Sequence, residues 1–195
     1  MRPAIKLMMD IWRRARWSVQ DLLHDCRGVA ATEFVIVVPV MLLLFFGTDE
    51  FASGVAVDRK VTLMARTLSD LTSQNISVTD SQFTNFFNAS AGIMTPYSAS
   101  PVRSTITELY VDPGTLAARV QWSKGSSPRT AGTTVPIPTA LQVGGTYLIY
   151  SEVSYVFVPT VGYVMKSSIT LSDFTFTRPR QSLCVMYNTT VCTTT

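Results

Sequence analysis

The chain has 195 residues, 47% of them hydrophobic and 15% charged, and a formal net charge of +3. That composition excludes a disordered polar chain, and one histidine and three cysteines exclude a histidine-rich metal centre or a cysteine-dense scaffold. Six Lys/Arg and three acidic residues precede Gly28 while the remainder balances at ten of each, so the positive excess belongs to the first 28 residues.

Residues 1–28 form a basic leader in which Trp12 and Trp17 flank Arg13, Arg14 and Arg16. This pattern suits the surface of an anionic inner leaflet. It is too short and too close to the next segment to argue for nucleic-acid binding, and none is expected. His24 and Cys26 also fall here. With the only histidine in the leader, no histidine triad or histidine-containing zinc cluster can form beyond it.

Residues 29–47 form an apolar run containing one charge, Glu33. As a helix, Val29–Phe46 would extend roughly 27 Å, close to the roughly 30 Å hydrocarbon core of a bilayer. No second run of that length follows, so one transmembrane helix is expected. Its basic flank places the N-terminus in the cytoplasm and about 150 residues outside. A secretory signal peptide fits poorly, because the apolar run is long and Gly47-Thr48-Asp49-Glu50, not a small-residue cleavage site, follows it. An ionisable group inside such a segment is expensive and marks a functional position, although a shallow glutamate can also snorkel to the headgroups. Pro39 removes one helix donor and is expected to kink or loosen the helix; an ordinary tolerated membrane proline is the alternative.

The helical pattern continues through 48–76. Val57, Val61, Met64, Leu68 and Leu71 recur at steps of four and three, with charged residues off the stripe. One helix from about Val29 to about Gln74 is predicted, its amphipathic half covered by a folded domain or by partner subunits. Residues 77–195 read as an external α+β domain. Thr79-Asp80-Ser81-Gln82 matches a capping box opening a short helix with Phe83, Phe86 and Phe87 on one side. Strands are predicted at Thr105–Asp112, Leu116–Trp122, Thr146–Val158 and Ser168–Thr177, with Leu116, Ala118, Val120 and Trp122 sharing one face. Ser123–Gly145, rich in Gly, Ser, Thr and Pro, reads as an exposed loop or short irregular excursion. Cys184 and Cys192 are the only cysteines beyond the membrane, where oxidising conditions favour a disulfide; a free thiol pair or a metal site is the weaker reading. No cofactor is implied. The Asn75, Asn88 and Asn188 sequons have the glycosylation pattern and read also as surface polar residues.

Arg27-Gly28-Val29-Ala30-Ala31-Thr32-Glu33-Phe34, the apolar run with Pro39, and then Gly47-Thr48-Asp49-Glu50-Phe51 resemble the N-terminal signature of TadE-like proteins, the minor pilins or pseudopilins of the Flp/Tad pilus system. Tyr155-Val156-Phe157-Val158-Pro159 and Thr177-Arg178-Pro179-Arg180 resemble the closing strands of that family. The middle of the chain carries little of the likeness. The resemblance implies a pilin-like α+β fold, one long N-terminal helix packed on a small antiparallel sheet, in the bacterial inner membrane with a periplasmic domain. It also implies a prepilin peptidase that cuts between Gly28 and Val29, leaving Glu33 fifth and Phe34 sixth in the mature chain. The implied partners are the membrane, the peptidase, other pilins or pseudopilins and Tad assembly proteins, and no enzymatic activity is implied. Gly28 lets an extended backbone approach a protease closely. The amine freed on Val29 would carry charge near neutral pH, and Glu33, one turn on, can neutralise it on its own helix or a neighbour's, which fixes register. Two rival readings remain at this level: an uncleaved bitopic protein with an external binding domain, and an anchored enzyme, for which no catalytic spacing is evident.

Overall fold

The computed structural model describes residues 27–159 and 167–192; the expectations for the leader before residue 27, including His24 and Cys26, lie outside them. Helix α1 spans Arg27–Ser73 and contains Pro39 without a break, so the proline does not end the helix. The chain divides into two compact units, Met1–Thr48 and Asp49–Thr195.

In the first unit, the described residues are the N-terminal part of α1. Its side chains are exposed on every side: Phe34, Val35 and Ile36 are about 70% accessible, and Val40, Met41, Leu43 and Leu44 more than half. A helix apolar all round is stable only inside a core or a membrane. Gly28–Ser73 is long and apolar enough at its N-terminal end to be a candidate membrane span.

In the second unit the same helix becomes one-sided. Val57, Val61, Met64, Ala65 and Leu68 are at most 1% exposed and pack on Ile106, Trp122, Ile149, Val153, Tyr155 and Phe157 of a sheet. The domain therefore covers the predicted stripe, and each large buried side chain contributes about 1.5–3 kcal/mol of apolar burial. After α1 come β1 (Ser77–Val78), α2 (Asp80–Ala91), β2 (Val102–Val111), β3 (Ala118–Gly125), β4 (Thr134–Val135), β5 (Tyr147–Phe157), β6 (Ile169–Thr177) and β7 (Met186–Tyr187). The main sheet has the order β4-β3-β2-β5-β6 and is antiparallel throughout, while β1 and β7 form a separate parallel pair. This is the expected α+β arrangement of one long helix on a small antiparallel sheet.

The capping box is present: the Thr79 hydroxyl accepts from the Gln82 amide, and the Gln82 side chain accepts from the Thr79 amide. It opens α2, whose Phe83 reaches the Trp122 ring at 5.4 Å. Phe83 is buried, while Phe86 and Phe87 pack partly buried beside it.

Two expectations need correction. The second strand begins at Ala118, because Leu116 sits at φ 57° in a turn held by Asp112, whose Oδ1 accepts from the amides of Gly114 and Thr115. These hydrogen bonds favour the charged form, so the Asp112 carboxyl titrates below its usual range. More consequentially, Ala118, Val120 and Trp122 do not share a face. Glu108 pairs with Trp122 but Leu109 pairs with Val120, a bulge that inserts Gln121 and reverses the alternation. Trp122 consequently joins the helix-side core, whereas Ala118 and Val120 join a second core on the opposite face with Leu109, Val111, Leu148 and Tyr150.

That second core refines the reading of Ser123–Gly145 as an exposed loop or short irregular excursion: the segment is irregular and mostly exposed, but it is anchored to the sheet. Its first three residues complete β3, and Thr134–Val135 adds the edge strand β4. Val135 is buried, with Ile137 and Leu141 packed beside it against the back of the sheet. The excursion is a cover with few regular hydrogen bonds, which explains why β2 is buried continuously from Ser104 to Val111.

Candidate functional site

Gly28 and Val29 occupy the first turn of α1. Nothing lies within 4 Å of a Cβ built on Gly28, and Val29 is 55% exposed. The bond between them is therefore sterically open, and the first turn of a helix unwinds most readily because its leading N–H groups lack intrahelical partners. Glu33 follows Val29 by four residues, the spacing that puts two side chains on neighbouring turns of one face. It is exposed and is the one ionisable residue from Gly28 to Thr48. Phe34, beside it, is 68% exposed.

Other polar groups in this segment are satisfied within the helix: the Thr32 hydroxyl donates to the Val29 carbonyl at 2.8 Å and that of Thr48 to the Leu44 carbonyl at 2.7 Å. Pro39 has no amide hydrogen to offer the Val35 carbonyl one turn back. A glutamate and that carbonyl thus interrupt an otherwise apolar surface.

The C-terminal segment is held by groups far away in sequence. Arg180 closes the end of α1: its amide donates to the Ser73 carbonyl at 2.9 Å and its guanidinium lies 2.7 Å from Asp70 Oδ1. The amide satisfies a terminal carbonyl and the cation complements the helix dipole, which gives the Thr177-Arg178-Pro179-Arg180 segment a structural role. Because both side chains are substantially exposed, Arg180→Ala is expected to destabilise the domain by about 0.5–1 kcal/mol, read as a small drop in thermal midpoint.

Further on, the Val185 amide donates to Glu108 Oε1 at 2.6 Å, and the Trp122 indole N–H donates to the Val185 carbonyl at 2.8 Å. Both backbone groups of one residue are thus taken by side chains of adjacent strands. Burial pushes the Glu108 carboxyl up to about 8, against the opposing effect of the Val185 and Trp122 hydrogen bonds. β7 then pairs with β1, the Asn188 amide donates to the Val78 carbonyl, and Cys184 is disulfide-bonded to Cys192 with Cα atoms 6.3 Å apart. Gly28 and Val29, expected as a processing site, Glu33 and Phe34, expected in recognition and assembly, and Pro39, expected as a helix kink, therefore lie on one stretch of helix, and the cysteine pair belongs to the closure of the domain. Sequence reasoning missed Glu108, whose only advance signal was a charge inside the otherwise uncharged strand segment Ser104–Val111. Among the described residues, no group of three or more His, Cys, Asp or Glu side chains is placed to hold a metal ion.

Among the described residues, one helix is long and apolar enough to cross a membrane, and an α+β domain follows it in the chain. Residues 28–68 match the model of the family described as TadE-like protein. The match begins at Gly28, runs through the apolar segment into the amphipathic part of α1, and leaves the sheet outside it. No curated protein and no solved structure matches the chain.

Proposed function

We propose that the protein is a non-enzymatic minor pilin or pseudopilin of a Tad/Flp-type pilus or secretion machine. A prepilin peptidase cuts the Gly28–Val29 bond on the cytoplasmic side of the bacterial inner membrane, and the domain from Asp49 onward lies in the periplasm. The new Val29 amine pairs with Glu33 of its own or an adjacent helix. That pairing sets the register in which the helix joins other pilins, pseudopilins or Tad assembly proteins.

One observation supports the reading: the TadE-like match begins at the glycine before the proposed scissile bond and includes Glu33, the one ionisable residue of the exposed apolar part of the helix from Gly28 to Thr48. A buried amine–carboxylate pair is stabilising only when both partners are placed, so mismatched registers leave an uncompensated charge. The decisive experiment is the N-terminal sequence and intact mass of the protein recovered from its native membrane, with and without the peptidase. A peptidase-dependent start at Val29 supports the proposal. A retained leader in both strains overturns it in favour of an uncleaved bitopic binding protein.

Glu33→Ala is expected to leave membrane insertion and domain folding unchanged, because its side chain is exposed and a charge is removed from an apolar segment. Pilus number is expected to fall at least about tenfold, the effect of losing roughly 1.4 kcal/mol or more at each helix contact. Normal piliation in this variant would remove Glu33 from the register mechanism.

A further inference from the structure

We propose that the end of the Asp49–Thr195 unit built from Phe51, Val55, Phe157 and Ile169 seats in the lipid headgroup region, giving the protein a second membrane contact besides its helix. This rests on the reading of residues 29–47 as membrane-spanning. A cleft of about 290 Å³ opens between the start of this unit's helix and the last residues of β5 and first residues of β6. Phe51, Gly54, Val55, Phe157, Ile169 and Leu171 line it, and Asp58 is its one charged wall residue. Phe51 is 69% exposed and Ile169 40%, while Val158, next to Phe157, is 66% exposed. So much accessible apolar surface at one end of a domain marks an interaction surface.

The helix packs antiparallel to β5, which fixes the end of the sheet where the cleft lies. A Cβ on Gly54 would lie 3.8 Å from the Phe157 ring, whereas Ser69, four turns later, donates to the carbonyl of Ile149 at the other end of the strand. The cleft is therefore at the end of the sheet nearest in chain to the apolar run. Phe51 follows Gly47 by four residues, and four residues reach at most about 14 Å in any conformation. The headgroup layer on each side of the hydrocarbon core is about 5–8 Å thick. Whatever path the chain takes, this apolar end is tethered within reach of lipid, an apolar partner held there at high effective concentration. Asp58 lies two turns beyond Phe51, about 10 Å along the helix, and sets the limit of the apolar level.

The test uses the full chain in phosphatidylethanolamine/phosphatidylglycerol vesicles, with Cys26→Ser and one environment-sensitive fluorophore on Ile169→Cys, Val143→Cys or Leu43→Cys in separate samples. Ile169 and Val143 are both exposed, so neither substitution empties the core. The probe at 169 is expected to shift to the blue, to be quenched by shallow nitroxide lipids and to show about fivefold less iodide quenching than the probe at 143. If 43 is quenched by nitroxide lipids but 169 behaves as 143 does, the second contact is overturned and the anchor stands. If 43 also escapes lipid quenching, the anchor reading and the inference both fail. Protection at 169 that grows with protein-to-lipid ratio and lacks lipid quenching assigns the cleft to a second copy of the chain and overturns the lipid assignment.

Discussion

Replacing Gly28 with phenylalanine is expected to leave the protein in the membrane at full unprocessed mass, with the 28-residue leader attached and no detectable mature form. The argument turns on the difference between the folded helix and the cleavage complex. In the folded chain, nothing lies within 4 Å of the Gly28 Cβ position, so a phenylalanine side chain meets no obstacle and the helix has no reason to misfold. Phenylalanine is also a better helix former than glycine. A peptidase, by contrast, must take the segment as an extended strand pressed against its cleft, where the absence of a side chain is what permits approach. Loss of processing in a chain whose domain remains folded would locate the defect in recognition of the glycine. Anti-leader immunoblotting and intact mass give the result directly, and normal maturation of Gly28→Phe would contradict the assigned scissile bond. Piliation is expected to be lost with it, because an uncleaved Val29 retains an amide and offers Glu33 no cation.

The features legible in the sequence are those set by neighbours along the chain. The apolar run, the stripe from Val57 to Leu68 and the capping box at Thr79–Gln82 depend on periodicity or on a three-residue spacing, and all three are present in the structure. The long strands were recognisable to within a few residues for the same reason. What was not legible depends on distant partners. The alternation from Ala118 to Trp122 looks unbroken in sequence, and only pairing with β2 shows that Gln121 is an inserted residue. Val135, Ile137 and Leu141 form no run long enough to show a strand or helix period, since they cover the sheet from a two-residue strand and an irregular segment with prolines and glycines. Glu108 is the extreme case: nothing near it announces burial, because the backbone that completes its site belongs to Val185, 77 residues further on.

That placement makes Glu108 the group expected to give the domain its largest single pH dependence. Its carboxyl titrates near 8 in the folded protein, against 4.5 for the ordinary group, because burial disfavours its charged form. The folded state thus holds this proton more tightly than the unfolded state. The stabilisation is fully present below about pH 4.5 and is lost progressively as pH rises through about 8. Between pH 6 and pH 9 the loss amounts to about 2–3 kcal/mol at 1.36 kcal/mol per unit. Glu108→Gln keeps a side-chain carbonyl to accept from the Val185 amide but cannot ionise, so its stability should exceed the wild type's by a margin that widens across this interval. Denaturant unfolding of the full chain in detergent at the two pH values, read as the difference between variant and wild type, isolates Glu108 from the other titrating groups. A constant difference would mean that the Glu108 carboxyl is already charged in the folded protein at pH 6. The same measurement bears on how the domain is closed: the Val185 hydrogen bond favours the charged carboxyl but burial outweighs it, so ionisation of Glu108 makes opening of the segment that covers it less costly. Amide hydrogen exchange at Val185 should therefore accelerate with pH beyond its intrinsic dependence in the wild type, and not in Glu108→Gln.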